Sequence, residues 1–191
     1  MGDTWNFGIE CPEDWIPLPV RGDVNVRRWA KEQAKVLGGS RGLMHELREH
    51  AEDGRGREPI LAFAYCPAPP EMDAVMAVLE VQAVRPDGEV PEPTLDWIVG
   101  TFSAPDFGEP EVERASLPAG PAVRIRQALA DRRTGFGGPS TLVETVTYGV
   151  LPTGSEGAFL LLFSWATPGV ADFIVPIADE IAHSFTVGDG T

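Results

Sequence analysis

The chain has 191 residues, with 15 Lys+Arg against 29 Asp+Glu and a net charge of −14. Its 43% hydrophobic and 23% charged content belongs to a folded domain, and the length suits one sizeable core. So negative a chain excludes nucleic acid and anionic membrane surfaces as main partners, because both require a basic face.

The opening Met1-Gly-Asp-Thr-Trp-Asn6 has neither a basic segment nor an apolar run, so no signal peptide is read there. The longest apolar stretch, Ala158 to Phe163, falls far short of the ~20 residues that span a bilayer. The expectation is a cytoplasmic protein without membrane insertion. Cys11 and Cys66, with no CxxC spacing, are expected as free, buried thiols.

Thr4 to Ile9 alternates in period two, with Trp5, Phe7 and Ile9 on one face, and predicts a strand. Pro12 to Trp15 predicts a turn. Asp23 is placed to cap a helix from about Val24 to Leu37, which Gly38-Gly39 stops. Ser40 opens a second helix, Arg41 to Ala51, and Asp53 to Glu58, lacking apolar content, reads as an exposed loop. Ile60–Cys66 and Val75–Val84 predict two central strands, joined through a proline-rich segment that cannot pair. Arg85 to Gly88 is a turn, and Pro93-Thr94 starts a short helix reaching Phe102.

Glu111–Leu117 and Val123–Ala130 predict strands split by Pro118–Pro121, with Arg124, Arg126 and Gln127 keeping one face wet. After the loop Thr134 to Pro139, Thr141–Leu151 and Ala158–Ala166 form a hairpin across Pro152–Gly157. Val170, Phe173, Ile174, Ile177, Ile181 and Phe185 then repeat at three and four, an amphipathic helix. Asp172 as its N-cap would put Pro176 near the first turn; a longer, kinked helix is the alternative. Strands mostly joined by turns, with helices before and after, predict one α+β domain over residues 1–191. All strands from Trp5 to Ala166 would share a single antiparallel sheet flanked by helices, with Ile177 and Ile181 buried against it.

Three segments together resemble the Mog/PsbP-like superfamily: Phe7-Gly-Ile-Glu-Cys-Pro-Glu-Asp-Trp15, the late hairpin through Tyr148–Gly154 and Leu161–Ser164, and Ile177-Ala-Asp-Glu-Ile-Ala-His-Ser-Phe185. The resemblance implies a central antiparallel sheet between helical layers and a role in binding other proteins, without catalysis. It carries no short functional motif to transfer. No lipobox cysteine follows a signal peptide, and Val24–Ala51 is a long helical insertion for such a fold.

The chemical motifs fail on spacing. His45 and His50 lie five apart, where a zinc helix needs four, so a solvated face is the reading. Gly135-Phe-Gly-Gly138 lacks the lysine and the helix context of a phosphate loop. No GxSxG is present, and His183 reads as a half-buried residue near a helix C-terminus. No metal, cofactor or catalytic residue is expected. Charge is more informative, because residues 61–120 hold 11 acids against two bases. The expected partner is a protein with a basic surface, met by Asp96, Asp106, Glu109, Glu111 and Glu113, with Trp97 or Phe107 as the apolar anchor. The alternative is a small-molecule-binding protein or hydrolase with its pocket between the sheet and the 24–51 helices.

Overall fold

The structure, a computed structural model, describes residues 6–67, 72–86, 92–105, 108–131, 141–154 and 156–188. Along the chain these form β1 (Asn6–Gly8), β2 (Trp15–Pro17), α1 (Val26–Val36), α2 (Arg41–Arg57), β3 (Leu61–Tyr65), β4 (Ala77–Val84) and α3 (Leu95–Phe102). Then follow β5 (Glu111–Leu117), β6 (Gly120–Asp131), β7 (Thr141–Val150), β8 (Ala158–Trp165), α4 (Ala171–Ser184) and β9 (Thr186–Gly188).

Seven strands make one antiparallel sheet in the order β2-β3-β4-β8-β7-β6-β5, so the fold is α+β as predicted. The expectation of a single sheet is corrected by β1, which leaves it. It pairs with β9 as a two-stranded sheet, Phe7 opposite Val187. Phe7 supplies the reason: its ring lies 5.8 Å from that of Phe159 and 6.4 Å from that of Phe185, drawing the strand to the end of the last helix. Trp5 lies outside the described residues. The turn at Pro12–Trp15 is present, closed by Trp15 N–H on the Pro12 carbonyl at 2.9 Å, and the chain runs from it into β2.

The helices depart from expectation at their ends. Asn25, not Asp23, caps α1, its Oδ1 accepting from Arg28 N–H at 3.0 Å. The Asp53–Glu58 stretch is not a loop, because α2 continues through Arg57. Long-range bonds outweigh its poor helix propensity. Arg55 donates to the carbonyls of Pro19 (2.9 Å) and Val24 (2.8 Å), and Arg57 holds Glu80. Gly54 is required there, since a Cβ would sit 2.8 Å from Val20 Cγ1. Ser40 and Thr94 cap α2 and α3 as predicted. Asp172 is not the N-cap of α4: Val170 is, without a side-chain bond, and Pro176 lies inside the helix. Ile174, Ala178, Ile181 and Phe185 are buried, Ile177 is half-buried and Phe173 is 58% exposed. Ile174, Ile181 and Phe185 of the predicted stripe are thus in the core, while Ala178 and Ala182 take the inward places expected of Ile177 and Phe173.

Alternation sorts the side chains onto two faces. One carries Trp15, Tyr65, Leu79, Val81, Phe159, Leu161, Phe163 and Tyr148 and packs against α4. The opposite face is covered in two parts. Over β3 and β4, α1 and α2 meet it through Val26, Ala30, Leu43, Leu47 and Ala51 on Ala62, Ala64 and Val78. Over β6 and β7, α3 seats Ile98 against Val123 and Ile125. Gly149 makes this possible, because a Cβ there would lie 2.5 Å from Ile98 Cγ2.

Candidate functional site

The predicted acidic stretch does not form one patch. Residues directly opposed across β5 and β6 share a face, which puts Glu111 beside Arg126 and Glu113 beside Arg124 on the α4 face. Asp96 and Trp97 sit on α3, on the other face, where Asp96 pairs with Arg114. The stretch therefore wraps around β5, the outermost strand of the sheet. Glu109 is exposed at its start, and Asp106 and Phe107 lie outside the described residues. Trp97 is half-buried, edge-on to Phe102 at 6.2 Å, and packs with the Ile98 cluster.

The acids are not an uncompensated field. Glu111 lies 3.8 Å from Arg126, and Glu113 lies 3.7 Å from Arg124. These are ion pairs longer than hydrogen bonds, with the glutamate side chains 66% and 67% exposed, so both carboxylates keep acceptor capacity toward solvent. Arg126 is also 3.9 Å from Glu144 on β7.

Beside them stands a cluster that the sequence does not announce. Arg124 Nε donates to both Tyr148 Oη and Asp179 Oδ1, each at 3.1 Å, and Tyr148 donates to the same carboxylate. Strands β6 and β7 supply the first two groups and α4 the third. Burial holds the Tyr148 hydroxyl well above the usual phenol range, and its bond to Asp179 adds to this against the pull of Arg124. Burial alone would lower the Arg124 guanidinium, but its bonds to Tyr148 and Asp179 outweigh that and raise it. Arg124 thus stays charged, Tyr148 stays protonated, and together they tie α4 to the sheet. The sequence signal was an arginine within an apolar strand; its partner lies 55 residues away. Gln127 points to the other face, contrary to expectation, where it accepts from Ala104 N–H (2.8 Å) and donates to the Phe102 carbonyl (2.7 Å) at the end of α3.

The space expected to hold a pocket, between the sheet and α1–α2, is packed with aliphatic side chains, with Arg57 and Glu80 as its polar pair. His45 pairs with Glu49 at 3.3 Å. Among the described residues, no group of three or more His, Cys, Asp or Glu is placed to hold a metal ion. Cys11 and Cys66 are free, and burial pushes each thiol up to about 12, with Glu46 and Asp14 adding to the shift at Cys66. The indole N–H groups of Trp15 and Trp165, buried on the α4 face, have no acceptor among the described residues. Among those residues, no helix is long and apolar enough to cross a membrane.

No family model and no curated protein matches the chain. Among solved structures it is similar to LpqN, described as involved in cell envelope biogenesis of Mycobacterium tuberculosis. The overlap has a TM-score of 0.48 and 14% identity, covering 98% of this chain and 86% of that one. A likeness at this level carries no argument about function.

Proposed function

We propose that the protein is a non-enzymatic binding or accessory protein of the cytoplasm, with a Mog/PsbP-like fold, that docks a basic surface of another protein. The docking surface is the outer rim of the sheet, with Glu109, Glu111 and Glu113 at β5 and Asp96 and Trp97 on α3 around the edge; Asp106 and Phe107 belong to the same stretch of sequence and lie outside the described residues. The observation that carries this reading is the exposure of Glu111 and Glu113 on an edge strand, where their arginine partners stand beyond hydrogen-bond distance. A basic partner can complete those carboxylates without breaking an existing hydrogen bond. The half-buried Trp97, on α3 across the edge from these carboxylates, offers apolar contact.

The reading is tested by association kinetics with a partner captured from the source lysate. Replacing Glu109, Glu111 and Glu113 by Gln should lower the association rate severalfold and leave folding intact. The effect should vanish as salt shortens the screening length from ~10 Å at 0.1 M to ~3 Å at 1 M. An unchanged association rate at low salt would reduce the acidic rim to a solubility feature.

A further inference from the structure

The hydrogen-bond phase of β5 follows from one residue of its neighbour. Ser116 is directly opposed to Pro121, and proline has no N–H to give, so this must be a non-hydrogen-bonded pair of the antiparallel ladder. Phase alternates from there. Glu111, Glu113, Ala115 and Leu117 bond inward to β6, while the N–H and C=O groups of Val112, Arg114 and Ser116 point away from the sheet. These outward groups carry no hydrogen bond among the described residues. The strand is seven residues long and contains no proline, and Val112 is 42% exposed. The opposite edge, β2, has three residues, includes Pro17 and buries Trp15 and Ile16. Of the two edges, β5 is the one able to accept another strand.

We infer that β5 binds an extended segment of a different protein by strand addition, with basic residues at alternate positions of that segment opposite Glu111 and Glu113. This rests on the reading of the rim as a protein-docking surface and supplies its mode. The outward backbone groups give main-chain bonds, and the side chains give selectivity. On the α4 face the incoming strand meets two exposed carboxylates and on the other face Val112, so a basic–apolar–basic alternation fits. A second copy of this chain fits poorly: two-fold pairing over the full strand is centred on Arg114 and sets two like charges opposite each other.

The probe is a capped six-residue peptide in which lysine and valine alternate, added to the full-length protein. Amide exchange should slow at least tenfold at Val112, Arg114 and Ser116 and not at Glu113 or Ala115. N-methylation of the pairing amides in the peptide, or glutamate in place of its lysines, should weaken binding tenfold or more. Arg114→Pro, which removes an outward N–H, should do the same; the N-methylated peptide decides the matter if that variant does not fold. Salt-sensitive binding that N-methylation leaves unchanged would overturn strand addition while leaving the acidic docking face standing. Absence of binding by the lysine peptide would overturn the inference, as would a peptide-free dimer protecting the same three amides. The partner's association kinetics judge the underlying reading separately.

Discussion

On one face of the sheet, α1 and α2 meet the strands through aliphatic side chains and the Arg57–Glu80 pair; on the other, α4 meets them through aromatic rings and the Arg124–Tyr148–Asp179 cluster. The buried charge has opposite sign in the two places. Glu80 is 9% exposed with its arginine 42% exposed, whereas Arg124 is 13% exposed with its aspartate 41% exposed. In each pair the more exposed partner keeps the buried one solvated, and they differ in how much help it has. Arg124 also bonds Tyr148, so its cluster degrades in steps. Glu80 leans on two nitrogens of one guanidinium, at 3.0 and 2.9 Å from Nε alone.

That contrast is broken most severely at Arg57. Arg57→Ala strands a buried carboxylate and should cost about 3–5 kcal/mol in urea unfolding, whereas Asp179→Ala should cost about 1–3 kcal/mol. Equal costs would show that the second hydrogen bond to Arg124 contributes nothing. Next comes the apolar seam under α4. Ile181→Ala should cost about 2–5 kcal/mol, since Ile181 is 1% exposed, and Ile177→Ala should cost clearly less. The reverse order would mean that α4 is rotated from its described position.

An alkaline slope is shared by both faces. Cys66 lies under α1–α2 and Cys11 on the α4 side, each with its thiol pushed up to about 12 from 9.0. Between those values the folded chain keeps protons that the unfolded chain has lost, so stability falls as pH rises. Tyr148, raised from 10.0, acts in the same direction. Urea midpoints should decline above about pH 9, and Cys66→Ala should flatten the decline. A midpoint that holds steady through pH 11 would contradict the burial of these groups.

Much of the fold is legible residue by residue. The period-two runs from β3 to β8, the Thr94 cap and the turn at Pro118 are local signals, and the structure uses them locally. What escapes the sequence is settled by contacts distant along the chain. Asp53 to Glu58, lacking apolar content, advertises a loop, and the reach of Arg55 and Arg57 to other segments is not visible in that window. The pairing of β1 with β9 depends on three residues at each end, too few to show a pattern. The rim itself illustrates both halves of the lesson. Counting charges along the chain locates Glu111 and Glu113 and misses that Arg124 and Arg126 stand one strand away, because register is not a property of composition. Likewise the Arg124–Tyr148–Asp179 cluster draws on three elements, and no window of sequence contains it.

The small sheet of β1 and β9 turns the polypeptide into a closed ring. Ser184 reinforces the closure: its Oγ accepts from Glu10 N–H at 2.9 Å while its hydroxyl donates to the Ile181 carbonyl at 2.7 Å, within the end of α4. Bringing together segments so far apart along the chain has an entropic cost that grows only with the logarithm of the ring size, so most of it is recovered once α4 has docked. The ring is therefore expected to shut late in folding and to open early in local unfolding, with Phe7 as its latch. Topologically the molecule has no loose end between Asn6 and Gly188: cutting the ring elsewhere and joining these two positions would leave every strand pairing of the large sheet in place.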